Sequence, residues 1–453
     1  MISTRHLTES NIFTIPLQSN KDDSSLDINV IYSPFTDEAF LATTDFVSKM
    51  ESHISNQEDA SGDIKELMNS LLDESRRIKL APRLESTDGY TKMAILPNNV
   101  CNFHCSYCYS AAGRNNQVID KKVLKTALEH FVDPTRISKD TQLSISFLGG
   151  GEPLLSFDLL KFAVEYSSEL AQKFGFKRIA HNVVTNGSIL NEEILYFLIE
   201  HKISVSVSFE ILQEIQELQR GNYPKVKSNI QKLLFNNIQP QLRATITKDN
   251  VMMLKQMVEE VASCYKGVKE VMMEYVTDED SFESISDIRK FLTDYVDQFF
   301  IAKKYGEERG IKVDCSALRN YELLIERFCP GEYSITPAGE ISICSRITSP
   351  LNNGYDDCIY GRFLPTGSSE VNNEKFKKLI DNNVYQQDKC KNCFAKWHCG
   401  GGCLAQTYEY NEEILNEMCE FTRNFTKRLI LEEIERDIIE QHNKTLSEFL
   451  ESI

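Results

Sequence analysis

Three cysteines stand close together in the stretch CNFHCSYCYS: Cys101, Cys105 and Cys108, spaced C-x3-C-x2-C. A structural zinc site closes with four ligands, and a disulfide consumes two thiols. Three soft thiolates on one short loop can instead hold three irons of a cubane cluster and leave the fourth iron open. An open coordination position is where a reactant can enter. His104 lies between two of the cysteines, so a zinc site closed by histidine is the alternative. Tyr107, just before Cys108, is placed to cover the open face.

Seven further cysteines form a second pattern. Cys329 and Cys344 are spaced C-x14-C, Cys390, Cys393, Cys399 and Cys403 read C-x2-C-x5-C-x3-C, and Cys419 follows after fifteen residues. Cys264, Cys315 and Cys358 fall outside both patterns. Thirteen cysteines is a high count for an intracellular chain, and in a reducing compartment they are expected as ligands or catalytic groups rather than as disulfides. A zinc ribbon is the alternative for the second group, but seven ligands fit one zinc poorly and two zincs with a ligand short.

Something must position these thiols. Between about 90 and 277, short apolar runs alternate with amphipathic stretches: KMAIL, LSISFL, IAHNVVT, ISVSVSF, QLRATIT and EVMMEYV. In FDLLKFAVEYSSELAQKF, Leu160, Ala163, Val164, Ala171 and Phe174 fall along one helical face. Six strands with intervening helices predict an α/β fold, a parallel sheet or an incomplete barrel. In such folds the site lies at the C-terminal ends of the strands. Cys101 follows the first run by a few residues, which is that place.

The cysteine-free residues 1–85 read as a small α+β unit, with strands in DINVIYS and EAFLATT around a PFTD turn and helices near 44–54 and 62–77 separated by the polar ISNQEDASGD. A packing extension of the next domain is the alternative reading. Residues 278–328 look helical and connecting. From 329 to 425, cysteine and glycine replace long apolar runs, as in a unit built around metals with little core of its own. A charged helix ends the chain, with 426–453 as its own segment.

The chain has 453 residues, 41% hydrophobic and 10% aromatic, and a formal net charge of -17. More than one compact core is expected at this length. The acidic balance argues against nucleic acid or an anionic membrane as partner. The chain shows neither an apolar run of about 18 residues nor a basic, then apolar, signal sequence, so a cytoplasmic protein is expected.

The loop cysteines, with an aromatic residue before the last, resemble those of radical S-adenosylmethionine (SAM) enzymes. The resemblance covers about 90–425 and implies a partial (β/α)6 TIM-like barrel. In that family SAM chelates the open iron, and an electron from the cluster cleaves it to a 5′-deoxyadenosyl radical that abstracts hydrogen from the substrate. In FLGGGEPLL, Gly150, Gly151 and Glu152 look like the family's GGE motif, which receives the SAM ammonium. Thr185 and Asn186 of VVTNG resemble polar SAM contacts, Ser208 a ribose contact, and Arg220 a residue that helps hold the SAM carboxylate. Many relatives read S-x-D-G where this chain has Ser208-Phe209-Glu210-Ile211.

The second cysteine group is similar to the SPASM domain, which carries two auxiliary [4Fe–4S] clusters, so three clusters in all are implied. By the family pattern Cys390, Cys393, Cys399 and Cys419 hold auxiliary cluster II, and Cys329, Cys344 and Cys403 hold auxiliary cluster I. One ligand is then missing. Either Cys315 or Cys358 closes the site, or an iron stays open, where a substrate thiolate could bind; the open site is the expectation.

Enzymes of this kind mainly modify peptides and proteins. The resemblance implies a maturase that installs thioether or carbon–carbon crosslinks in a ribosomally made precursor peptide. The N-terminal unit then resembles a leader-recognition domain, and a flavodoxin or ferredoxin would supply electrons. The alternatives are an anaerobic sulfatase maturase, a peptide epimerase and a non-enzymatic zinc-binding scaffold. The sequence names no general base; Glu210, Glu274 and several tyrosines are the candidates.

Overall fold

The computed structural model describes residues 4–17, 28–55, 62–277 and 281–452. Six parallel strands form its centre, in sequence order: β4 (Lys92–Ile95), β5 (Leu143–Phe147), β6 (Ile179–Thr185), β7 (Ser204–Ser208), β8 (Gln241–Ile246) and β9 (Glu270–Tyr275). The apolar runs became these strands because each is short, apolar and bounded by polar loop residues. The parallel sheet within an α/β architecture is the partial barrel expected from the sequence. On the helix Phe157–Phe174, Leu160, Ala163 and Val164 are fully buried and Ala171 nearly so, as the periodicity predicts.

The sheet does not stop at these six. Beyond β9 lies β10 (Lys312–Asp314), parallel to it, inside the segment read as a helical connector. Beyond β4 lie β11 (Ser334–Ile335), β12 (Glu340–Ser342), β13 (Ile359–Phe363) and β14 (Ser369–Val371), which makes eleven strands. The cysteine-rich segment therefore differs from a metal-built unit with little core. Its Ile335, Ile341, Ile343, Tyr360 and Phe363 belong to the same apolar cluster as Ile95 and Phe147 of the barrel.

The remaining sheet is antiparallel and N-terminal, with β2 (Ile28–Ser33) between β1 (Phe13–Pro16) and β3 (Glu38–Thr43). Alternation sends β2 side chains to two cores. Ile31 packs with Leu7, Val47, Met50 and Met68, whereas Val30 and Tyr32 pack with Trp397, Ile430 and Ile434. The helix predicted to reach residue 77 ends at Leu71. Asp73 there accepts from the backbone and hydroxyl of Ser75, at 2.8 and 2.7 Å, a local bond that competes with helix. Most of the polar loop ISNQEDASGD and the start of the acidic connector, 278–280, lie outside the described residues.

The C-terminal charged segment is a 31-residue helix, Glu412–His442. Its Phe421 and Phe425 pack among Tyr275, Tyr295, Phe299 and Phe300, so it is core rather than tail. Arg289, on the helix Ile285–Glu307, clamps its Glu417 through two bonds of 3.0 and 2.6 Å. Among the described residues no helix is long and apolar enough to cross a membrane.

Candidate active site and cysteine cavity

The loop of Cys101, Cys105 and Cys108 leaves the C-terminal end of β4. Buried Asn98 shapes its entry. Its amide donates to the Glu152 carbonyl at 3.1 Å and to Ser156 Oγ at 2.8 Å, and its oxygen accepts from Val100 N–H at 2.9 Å. Phe103 anchors the loop in the core. Arg114 donates to Cys108 Sγ at 3.2 Å, and its Nε is buried with no hydrogen-bond partner. Burial raises the Cys105 pKa, and the Arg220 guanidinium opposes that shift.

The loop after β5 presses against this one. Gly150 has φ +62°, and a Cβ at Gly151 would meet the Val100 carbonyl oxygen at 1.8 Å, so only glycine fits. Glu152 follows, buried. Its carboxylate accepts from Leu154 N–H at 3.1 Å, Thr185 Oγ1 at 2.7 Å and Asn186 N–H at 2.7 Å. Burial raises its pKa against these three donors. The side chain expected to receive a ligand ammonium thus also ties the β5 loop to the end of β6. The Asn186 side chain donates in turn to Asn102, beside Cys101, at 2.9 Å.

Ser208 ends β7, partly exposed. Glu210, two residues on, is fully buried. It accepts from the Tyr107 hydroxyl and, at 2.9 Å, from Thr245 N–H. Arg220 donates to the same Tyr107 oxygen at 2.6 Å and lies 3.6 Å from Glu210. Burial opposes its charge, but Tyr107, Cys105 and Glu210 around it raise its pKa overall. Its Nε is buried without a hydrogen-bond partner among the described residues. Ile211, where relatives carry glycine, adopts φ +66°. A β-branched residue there stores strain on the order of 1–2 kcal/mol. Glu210 therefore sits where it can position Arg220 and Tyr107. Sequence reasoning raised it only as a possible base.

The second group surrounds a cavity of about 470 Å³. Cys329, Cys344, Cys390, Cys393, Cys399, Cys403 and Cys419 all line it, and so does Cys358; Cys315 does not. Arg243 of β8, with Glu274 and Tyr275 at the end of β9, closes its barrel side. Glu274 accepts from Ser316 N–H and Oγ, each at 2.7 Å, and burial raises its pKa.

The fold gathers these thiols from far apart. Gly400 has φ +60°, and a Cβ there would meet Phe328 N at 2.3 Å, so the Cys399 turn lies directly on the segment leading to Cys329. Cys419 comes from the helix Glu412–His442. Among the described residues no disulfide forms, and no three ligating side chains converge as around a single ion. The thiols surround a void instead. Burial pushes Cys329 and Cys399 up to about 12 and Cys390 to about 11, so their thiolate forms need a cation beside them. Arg346, next to Cys344 and Cys403, adds another buried Nε without a partner. Thiol-lined space with cationic donors left over fits anionic clusters bulkier than one zinc.

Residues 95–265 match the radical SAM superfamily. An uncharacterized protein of Methanocaldococcus jannaschii is 33% identical over 133 residues, which is 29% of this chain and 43% of that protein. The cysteine-type anaerobic sulfatase-maturating enzyme of Clostridium perfringens is 22% identical over 360 residues, covering 72% of this chain and 92% of the enzyme. A solved structure of anSMEcpe with bound AdoMet aligns at TM-score 0.60 and 17% identity, over 76% of this chain and all but 1% of the other (99% covered). That structural likeness establishes a shared fold. Residues 95–265, from the end of the first barrel strand to just past the helix before β9, carry the radical SAM match, and with these relatives the chain is an enzyme.

Proposed function

We propose that the protein is a peptide maturase that installs a thioether or carbon–carbon crosslink in a ribosomally made precursor. The observation that carries this reading is the cavity lined by eight cysteines, which shares its wall with Arg243 of β8 and the end of β9. A barrel site and a cluster-sized cavity side by side suit a two-electron oxidation of a substrate held between them.

In this reading Cys101, Cys105 and Cys108 hold one [4Fe–4S] cluster. Gly150, Gly151, Glu152, Thr185, Asn186, Ser208, Arg220 and Tyr107 form the SAM pocket. Cys390, Cys393, Cys399 and Cys419 hold one auxiliary cluster, and Cys329, Cys344 and Cys403 ligate another. When bound, the first cluster and SAM supply a carbon-centred radical that takes a hydrogen atom from the substrate. The chain's own residues orient and shield. Arg220, held by Tyr107 and Glu210, offers its unpartnered Nε to an anion. The loops after β4 and β5 pack tightly against each other and hold the thiolate loop in place. Glu274, raised by burial, is placed to accept a proton at a carboxylate oxygen on the cavity wall. Residues 1–85 would read the precursor's leader, with β3 as an outer strand of its sheet. A flavodoxin or ferredoxin would donate electrons.

The sulfatase-maturase reading draws on the clostridial relatives, which cover 67% and 72% of this chain. One experiment separates the two. Anaerobically reconstituted protein is given SAM, reductant and either the precursor peptide encoded beside its gene or a cysteine-containing sulfatase peptide. The expected result is 5′-deoxyadenosine release with loss of two hydrogens from the precursor alone. Formylglycine in the sulfatase peptide would overturn the proposal, as would precursor modification by Cys101→Ala protein.

A further inference from the structure

Two cubanes take eight thiolates, and the patterned set around the cavity supplies seven. We propose that Cys358 is the eighth, closing the auxiliary site made with Cys329, Cys344 and Cys403. This rests on the cluster reading above.

Two separate pins hold Cys358 there. The first leads to Cys344. Cys358 ends the short helix Tyr355–Cys358 and opens β13, and its carbonyl accepts from Ile343 N–H at 3.0 Å. Ile343 directly precedes Cys344, and the pairing of Ser342 with Ile359 fixes this register. The second leads to Cys403, which caps the helix Leu404–Glu409. Gly354, at φ +77°, lies so close to that helix that a Cβ would meet the Tyr408 ring at 2.5 Å. Tyr408 also donates to Asp357 at 3.2 Å. The residues flanking Cys358 are therefore clamped against both neighbouring ligand segments.

The thiol itself is fully buried and lines the cavity, and its Sγ has no hydrogen-bond partner among the described residues. The rival, Cys315, is committed elsewhere. Its Sγ accepts from Leu318 N–H at 3.5 Å as a helix cap, and it stands outside the cavity lining. A cluster with four protein thiolates offers no iron to a substrate thiol. Its role is then to pass electrons, and the substrate sulfur must be held by other groups.

The test uses full-length Cys101→Ala/Cys105→Ala/Cys108→Ala protein, reconstituted anaerobically so that only auxiliary clusters remain. The parent should carry about eight irons per chain. Its reduced EPR signals should not change when 2-mercaptoethanol is added. Adding Cys358→Ala should either drop the iron to about four or give an auxiliary signal that shifts with the thiol. Cys358→Ser, which keeps an oxygen ligand, should retain iron with altered g-values, and Cys315→Ala should match the parent. A thiol-responsive parent overturns the proposal even if Cys358→Ala fails to fold, and so does a Cys358→Ala protein indistinguishable from the parent. A parent that holds zinc or no iron would instead overturn the cluster reading.

Discussion

The two groups of thiols are built in opposite ways. Cys101, Cys105 and Cys108 share one loop, partly exposed, at the end of a single strand. The cavity cysteines come from five stretches of chain, and folding alone brings them together. A loop site can be read from spacing and repaired locally. A cavity site depends on the sheet continuing from β4 through β11 to β13, and on a helix that returns from the C-terminus. The first arrangement suits a site that must admit a reactant. The second suits groups kept from solvent.

The sharpest way to break this comparison is to remove one thiol from each group. Cys105→Ala should abolish 5′-deoxyadenosine formation, read by chromatography. Cys399→Ala should keep SAM cleavage and lose peptide modification. Identical behaviour of the two would mean that the groups do not divide the work.

A smaller effect concerns the polar anchor behind the loop. Glu210→Ala leaves the buried Arg220 charge with a weakened partner set, and breaking such a pair costs about 3–5 kcal/mol. The urea midpoint should fall accordingly. An unchanged midpoint would remove Glu210 from its positioning role.

The barrel also has an acid-side weakness that the cavity thiols do not share. His181, on β6, contacts Ser167 Oγ at 2.9 Å, and burial, aided by His201, lowers its pKa to about 4. The folded state keeps the ring neutral, while the unfolded chain binds a proton near pH 6.5. Stability is therefore complete above about 6.5 and is lost as pH falls toward 4, by about 3 kcal/mol. His181→Gln should flatten that slope in denaturation series between pH 7 and 5.

The smallest expected effect probes the seam between the regions. Tyr360, on β13, donates to the Tyr90 hydroxyl at 3.0 Å, with both rings buried. Tyr360→Phe should cost about 1 kcal/mol, read as a lowered thermal midpoint.

Legibility in the sequence follows the same division. The six barrel strands announced themselves because each is four to seven residues of apolar pattern between helices. β10, β11 and β12, two or three residues long, carry no period to detect, so the continuity of the sheet was hidden. β1 was missed although its Phe13-Thr14-Ile15 alternates apolar and polar residues. The motif residues fall at the strand ends, but the buried partners of Glu152 and Glu210 depend on which loops meet, and spacing does not encode that. Cys358 belonged to no motif. Gly354 and Gly361, on either side of it, were the local signs of a close approach.

The helix Glu412–His442 has a consequence for how the protein comes into being. It brings Cys419 to the cavity, and its Ile430 and Ile434 cover Phe13, Ile15, Val30 and Tyr32 of the N-terminal sheet. The sheet thus waits for a helix made far later in the chain. At translation rates of about 5–20 residues per second that wait lasts tens of seconds. During it an apolar sheet face stands open. Contacts of such long sequence separation also slow folding itself. Covering that face during the interval is the task the fold leaves to whatever meets the nascent chain.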